Sequence, residues 1–436
     1  MRELKFLTFL FLWVMYNSYA QNSTTVTTQK KNSSKPNVEI NVTKKVEINI
    51  FGDGNSTTKN KTNSTKNTSN KNESDASSSS SSSSASSSNS LEDFGKYDFV
   101  QGEKVIALED FGQANLGDFP TRWNTNGSAE VVTLNIKDGK WLKLSEKTTI
   151  FPEFIKSLPE NFTFEFDLAC AQPFNYLTQE FFIGFVSMQK PSVDFAKWST
   201  AKRGESGFIF GLHPSVLAPK TLGRANYKII SGSKETMKNS VQTTQFCHVS
   251  KPVVHVAIWR QGDRIRLYLN EEKTWDLPKA FADTKYNGIV FYTGAVKTQN
   301  DKYYISNLRL AVGEPDTRNK LINDGKFSTT GILFDVNSDK IQPTSYGVLK
   351  EIANTLVENT GVKIKIVGHT DSDGDDASNL ALSKKRAESV KAFLNKEFGI
   401  DKSRMETDGK GETQPADKSN TAEGKANNRR VEFIKV

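Results

Sequence analysis

The chain has 436 residues, 36% of them hydrophobic, and a formal net charge of +8. That length accommodates two domains with sizeable cores, but the polarity is concentrated near the N-terminus, which excludes one uniform globule. The lysines are scattered, with no basic block interleaved with aromatics, so nucleic acid is not expected as a partner.

Residues 1–20 read as a secretory signal peptide. Arg2 and Lys5 give a positive start, residues 6–15 an apolar core and Ser18-Tyr19-Ala20 a small-x-small cleavage site. The apolar run is shorter than the roughly 20 residues that span a bilayer. Residues 21–95 shift to Ser, Asn, Thr and Lys, including the serine run 77–84. Such a stretch buries too little apolar surface to offset the entropy of ordering it, and a flexible, disordered tether is expected. Within it, VEIN occurs twice between residues 38 and 52, either as a coincidence of biased composition or as a short strand-forming docking segment.

From about residue 96 to 313 the pattern changes to short alternating segments separated by Gly, Pro, Asn and Asp. AEVVTLNI, FTFEFDLA, FFIGFVSM, VVHVAIWRQ and RIRLYLN all read as strands, with no helix of comparable length. Their spacing predicts a two-sheet antiparallel sandwich. The stretch 255–278, with turns at Gln261-Gly262-Asp263 and Asn270-Glu271, resembles the laminin-G or concanavalin-like jelly roll, whose members often bind sugars.

In FTFEFDLA, Phe162, Phe164, Phe166 and Leu168 are expected to face the core, and Glu165 and Asp167 the solvent. Paired carboxylates on one strand face also suit a glycosidase, which gives the alternative of a wall-anchored glycan-degrading enzyme. The next residues, Leu168, Ala169 and Cys170, lack the further Glu that such jelly-roll enzymes carry. His213, His248 and His255 show no metal-ligand spacing and read as hydrogen-bonded structural residues. Trp123, Trp141, Trp198, Trp259 and Trp275 read mainly as core. Cys170 and Cys247 fit either one disulfide or two small buried apolar residues.

After a break at Gly313, residues 314–330 look like a linker and the periodicity changes. GILFDV at 331–336 reads as a strand, and residues 343–358 place Val348, Leu349, Ile352, Leu356 and Val357 on one helical stripe. A strand at 363–367, a helix from Asn379, a short strand near 404–407 and a closing strand at 430–435 complete the set. Strands alternating with helices predict a compact α/β sandwich of βαβαββ type, with one mixed sheet.

The run from Val367 to Arg386 puts Asp371 at a strand's C-terminal end, an acidic turn through Asp373-Gly374 and Arg386 in the following helix. A ligand carrying an ammonium and a carboxylate would fit between the two charges. Asp371-x-Asp373-x-Asp375 has cation-site spacing, but Leu382 stands where an EF-hand needs its bidentate Glu.

Five blocks carry a specific resemblance: FDVNSDKI, GHTDSDG, NLALSKKRAESV, DGKGETQP and NRRVEF. In this order and spacing they are similar to the OmpA-like C-terminal domain, which binds peptidoglycan non-covalently. The resemblance covers residues 331–436 and implies recognition of the stem-peptide diaminopimelate. By position, Asp371 would take its ammonium and Arg386 its carboxylate, with Asn337, Asn379 and Arg429 lining the same pocket. The whole chain is thus expected to be multidomain and non-enzymatic, without cofactor or metal, at the periplasmic side of a Gram-negative outer membrane. It would bind peptidoglycan at one end and a glycan or an envelope protein through the jelly roll. The eight amphipathic strands of the family's barrel-bearing members are not recognisable, so membrane insertion is not expected.

Overall fold

The computed structural model describes residues 97–199, 204–281, 285–313 and 316–436, all within one compact unit. The signal peptide, the tether and the VEIN repeat expected at 1–95 lie outside the described residues.

In chain order the first strands are β1 (Lys104–Glu109), β2 (Trp123–Thr125), β3 (Ala129–Thr133), β4 (Lys140–Leu144) and β5 (Thr149–Pro152). They are followed by β6 (Asn161–Cys170), β7 (Phe181–Val186), β8 (Gly207–His213), β9 (Gly223–Ser231) and β10 (Lys234–Thr243). β11 (Val253–Gln261), β12 (Arg264–Leu269), β13 (Glu272–Leu277), β14 (Gly288–Thr293) and β15 (Tyr303–Val312) complete a two-sheet sandwich. One sheet runs β13-β12-β11-β6-β15-β4-β3, with β1 also paired to β15, and the other runs β10-β9-β8-β7-β14-β5-β2.

The period-2 alternation of the strands decides which side chains meet between the sheets. Phe162, Phe164, Phe166 and Leu168 of β6 are buried there as expected, against Phe181 and Phe185 of β7 and Phe291 of β14. The ring centroids of Phe166 and Phe291 lie 5.5 Å apart in an edge-on arrangement that suits the aromatic quadrupole. Trp123, Trp141, Trp198 and Trp275 are buried, and Trp259 is half-buried. Cys170 and Cys247 are both buried free thiols; burial, reinforced by nearby Cys247, pushes the Cys170 thiol up.

Glu165 and Asp167 do point away from the core, as the alternation requires, but they do not face solvent. They are only 2% and 3% exposed, because other parts of the chain cover them. Glu165 accepts from Arg309 Nη1 at 2.9 Å and Gln101 Nε2 at 2.7 Å. Asp167 accepts from Lys137 Nζ and Asn307 Nδ2, both at 2.7 Å. His255 stands between them, its Nδ1 3.0 Å from Asp167 and its Nε2 3.4 Å from Glu165. All four carboxylate oxygens are taken up internally, so neither group is free to protonate a glycosidic oxygen. His213 and His248 are likewise hydrogen-bonded, to Thr178 and Ser215 and to Phe174.

The C-terminal domain begins earlier than the sequence suggests. The stretch read as a linker contains α1 (Thr317–Ile322) and β16 (Lys326–Thr329), whereas GILFDV is not a strand and makes a single bridge, Phe334 to Ile341. After α2 (Tyr346–Glu358) come β17 (Ile364–Gly368), α3 (Asp376–Phe398), β18 (Met405–Gly409), α4 (Ala422–Asn428) and β19 (Val431–Lys435). The sheet order is β16-β19-β17-β18, with β17 and β18 parallel. β16 occupies the edge of β19 that GILFDV would need, which leaves that segment to bury Ile332 without joining the ladder. α2 buries Val348, Leu349, Ile352 and Leu356, while Val357 is exposed, off the expected stripe.

The two domains share groups. Arg309 of β15 reaches from Glu165 to Thr330 Oγ1 at 2.8 Å, and Lys320 of α1 pairs with Glu103 ahead of β1. Asn427 of α4 clamps β1, accepting from Val105 N at 2.9 Å and donating to Val105 O at 3.0 Å. Gly347 is required where α2 meets the segment ahead of β1, since a Cβ there would sit 1.8 Å from Phe99 O.

Burial alone would lower the His255 pKa, but its contacts with Asp167 and Glu165 outweigh this and push it up to about 9. A histidine with a raised folded pKa stabilises the fold fully below its unfolded value of about 6.5 and loses that contribution as pH rises through the folded value. The thermal midpoint, followed by circular dichroism, should therefore fall from about pH 7 to about pH 9.5. His255→Gln should flatten that fall; an equally steep fall in the variant would rule out this group as its source.

Candidate functional site

The loop after β17 holds the first candidate residue. β17 runs between β19 and β18, and its last residue, Gly368, passes so close to α3 that a Cβ would lie 2.1 Å from Ser383 O. The chain continues through buried His369 and Thr370 to Asp371, which is 9% exposed. The acidic turn closes at Gly374 with φ of +102°, a backbone conformation that favours glycine. Asp375 caps α3 by accepting from Ser378 N at 2.9 Å.

Asn379 lies in the first turn of α3 instead of opening it. Its Nδ2 donates to Asp373 O at 3.0 Å and Glu412 Oε2 at 2.6 Å, so its side chain fastens the loop that presents Asp371. Asn337 is exposed and has φ of +51°, in the turn between Asp335 and Lys340. That turn bears on the site through its next residue, because Ser338 O accepts from Arg386 Nε at 3.0 Å.

Arg386 sits about three turns into α3, with its guanidinium 4.9 Å from the centroid of the Phe334 ring. Nε carries its hydrogen bond, and Nη1 and Nη2 have no partner among the described residues. Burial and the neighbouring Arg429 charge lower its pKa, with Asp371 and Asp339 opposing them. Arg429 follows α4 and ion-pairs through Nη1 with Asp371 Oδ2. Asp371 Oδ1 accepts from Asp373 N at 3.2 Å. The direct partner of Asp371 is thus Arg429, which leaves Arg386 without a bound carboxylate.

Two cavities flank this pair. One of about 180 Å³ is lined by Phe334, His369, Arg386, Arg429 and Arg430, with Leu108 and Arg309 of the sandwich forming part of its wall. The other, of about 480 Å³, is lined by Asp371, Asp373, Glu412 and Lys425. Arg430 and Arg309 are neutralised by Glu432 and Glu165, so Arg386 supplies the uncompensated charge of the smaller cavity. Opposite charges at the junction of two hollows suit a zwitterion.

Three of the five expected residues, Asp371, Arg386 and Arg429, converge here. Asn337 belongs to the turn beside Arg386, and Asn379 fastens the Asp371 loop from the first turn of α3. The sequence reading missed Phe334 as the surface beneath Arg386, although it lies in a quoted block. Lys425, which holds Asp373 at 2.6 Å, and the sandwich residues Leu108 and Arg309 had no sequence signal, since tertiary contact alone brings them to the site. Among the described residues no three His, Cys, Asp or Glu side chains are grouped to hold a metal ion, and no helix is long and apolar enough to cross a membrane.

Residues 333–429 match the OmpA family. The chain is 39% identical over 101 residues to outer membrane porin F of Pseudomonas aeruginosa, covering 23% of this chain and 29% of porin F. It is 38% identical over 103 residues to the outer-membrane lipoprotein YfiB of that species, covering 24% of this chain and 61% of YfiB. The crystal structure of the peptidoglycan-associated lipoprotein from Burkholderia pseudomallei aligns with 30% identity and a TM-score of 0.23, over 25% of this chain and 89% of that one. The chain thus spans less than a third of porin F.

The closeness of Gly368 to α3 carries a stability test. Gly368→Ala forces β17 and the helix bearing Arg386 apart, and should cost about 1–3 kcal/mol in urea denaturation. An unchanged midpoint would mean that this approach relaxes freely.

Proposed function

Because residues 333–429 form an OmpA family domain, we propose that this chain anchors a β-sandwich to peptidoglycan by binding the diaminopimelate of the stem peptide non-covalently. The chain is a Gram-negative envelope protein, as its relatives are outer-membrane proteins and lipoproteins. Residues 1–20 would export the chain, and residues 21–95 would tether the sandwich, here assigned as a jelly roll of the laminin-G or concanavalin kind.

The observation that carries this reading is the unengaged fork of Arg386, beside a cavity whose neighbouring carboxylate, Asp371, is held by Arg429. Arg386 takes the ligand carboxylate through Nη1 and Nη2, the bidentate geometry that lysine cannot supply. Asp371 takes the ligand ammonium, and Arg429 holds that carboxylate in place before the ligand arrives. Asn379 and the Asn337 turn hold the two loops at the required separation. Water excluded from the small cavity strengthens each charge-assisted hydrogen bond.

Co-sedimentation with purified sacculi tests this. The parent should sediment with them, free diaminopimelate should compete, and Asp371→Ala and Arg386→Ala should each weaken binding by at least about tenfold. Variants that sediment like the parent would refute the site assignment.

A further inference from the structure

A groove of about 540 Å³ lies where the sandwich meets α2 and α3. Tyr97 ahead of β1, Ile341 and Tyr346 at the entry to α2, and Phe393 of α3 line it. Two exposed carboxylates also border it, Glu271 in the turn between β12 and β13 and Glu397 of α3. Aromatic rings meet edge-on at both walls: Tyr97 and Tyr268 have centroids 5.5 Å apart, and Tyr346 and Phe393 6.5 Å apart. Tyr97 is 6% exposed, and its Oη is buried with no hydrogen-bond partner among the described residues. A buried hydroxyl without a partner carries a desolvation cost, so a polar group of the occupant is needed beside it. The groove therefore calls for an apolar side chain, a hydrogen-bond acceptor and a cation to face the two carboxylates.

Covalent connection decides what is at hand. Tyr97 is the first of the described residues, so residue 94 lies within roughly 11 Å of its Cα, at about 3.8 Å per residue. Leu91 and Phe94 are the only large apolar side chains between residues 53 and 96, a stretch otherwise of Ser, Asn, Thr, Lys, Ala, Gly and acidic residues. They stand in Ser90-Leu91-Glu92-Asp93-Phe94-Gly95, followed by Lys96. A Ser with an acidic residue three positions later, closed by Gly, is the pattern of one capped helical turn. On such a turn Leu91 and Phe94 share one side, and Glu92 and Asp93 turn away. Segment and groove both fall within the unit Ser88–Val436.

We propose that residues 91–96 of the same chain dock in this groove. Leu91 and Phe94 cover the Tyr346 and Phe393 rings, a backbone carbonyl of the segment accepts from Tyr97 Oη, and Lys96 faces Glu271 and Glu397. The short connection holds the segment at an effective concentration on the order of millimolar or above, which a separate partner must exceed. Docked, the segment straps the sandwich to α2 and α3 and sets the point from which the N-terminal stretch departs. The site does not involve Asp371 or Arg386, so it stands apart from the anchoring role.

Binding of Nile red, a neutral apolar dye, to the full chain tests this. The parent should bind it weakly, and the double variant Leu91→Ser, Phe94→Ser about tenfold more tightly. A peptide of residues 88–96 at millimolar concentration should displace the dye that the variant gains. The thermal midpoint of the variant should fall by about 2 °C or more. Phe94→Trp, which keeps a large apolar ring, should hold both readouts at the parental values. Equal dye binding by parent and double variant would overturn the proposal and leave the groove open to a separate partner. So would an unchanged midpoint, or dye that the peptide fails to displace. Dye exclusion that disappears on dilution, together with a dimer in sedimentation velocity, would also overturn it by assigning the groove to a second copy.

Discussion

Two carboxylates kept out of water constrain the molecule most. Glu165 and Asp167 lie on the outer face of a sheet, where alternation sends polar side chains, yet they are almost fully covered. Burying charge is costly unless each charge is paired and hydrogen-bonded. The compensation comes from residues remote in sequence: Gln101 ahead of β1, His255 of β11 and Arg309 of β15. Arg309 also reaches Thr330, so the same pairing that makes these carboxylates tolerable joins the sandwich to the C-terminal domain.

That junction bears directly on the site. α4 lies against β1 through the two hydrogen bonds of Asn427 to Val105, and Arg429 follows α4 immediately. The residue that pairs with Asp371 is thus positioned by a helix that the sandwich holds. Leu108 and Arg309 then close one side of the cavity beside Arg386. The two domains are packed into one unit and share the wall of that cavity.

The C-terminal site distributes its charges unevenly. Arg309, Arg429 and Arg430 each meet a carboxylate, and Arg386 alone among the four does not. The outer face of the second sheet repeats the pattern with Lys228, which meets no carboxylate among the described residues, beside Arg224 and its partner Glu180. In both places a cation lies near an aromatic ring in otherwise compensated surroundings.

Local sequence determined the local elements. Alternation in FTFEFDLA put the four apolar side chains of β6 in the core, and the spacing of apolar residues in 343–358 and 379–394 marked the two long helices of the last domain. The resemblance carried by the five blocks from residue 334 onward pointed to Asp371, Arg386 and Arg429, which the structure brings close together. Tertiary structure decided the rest. Solvent access to Glu165 and Asp167, the displacement of GILFDV by β16 at the edge of β19, and the partner of Asp371 all depend on chain segments far apart in sequence. Periodicity specifies which face a side chain takes, but whether that face meets water, another domain or a ligand depends on packing that no local pattern encodes.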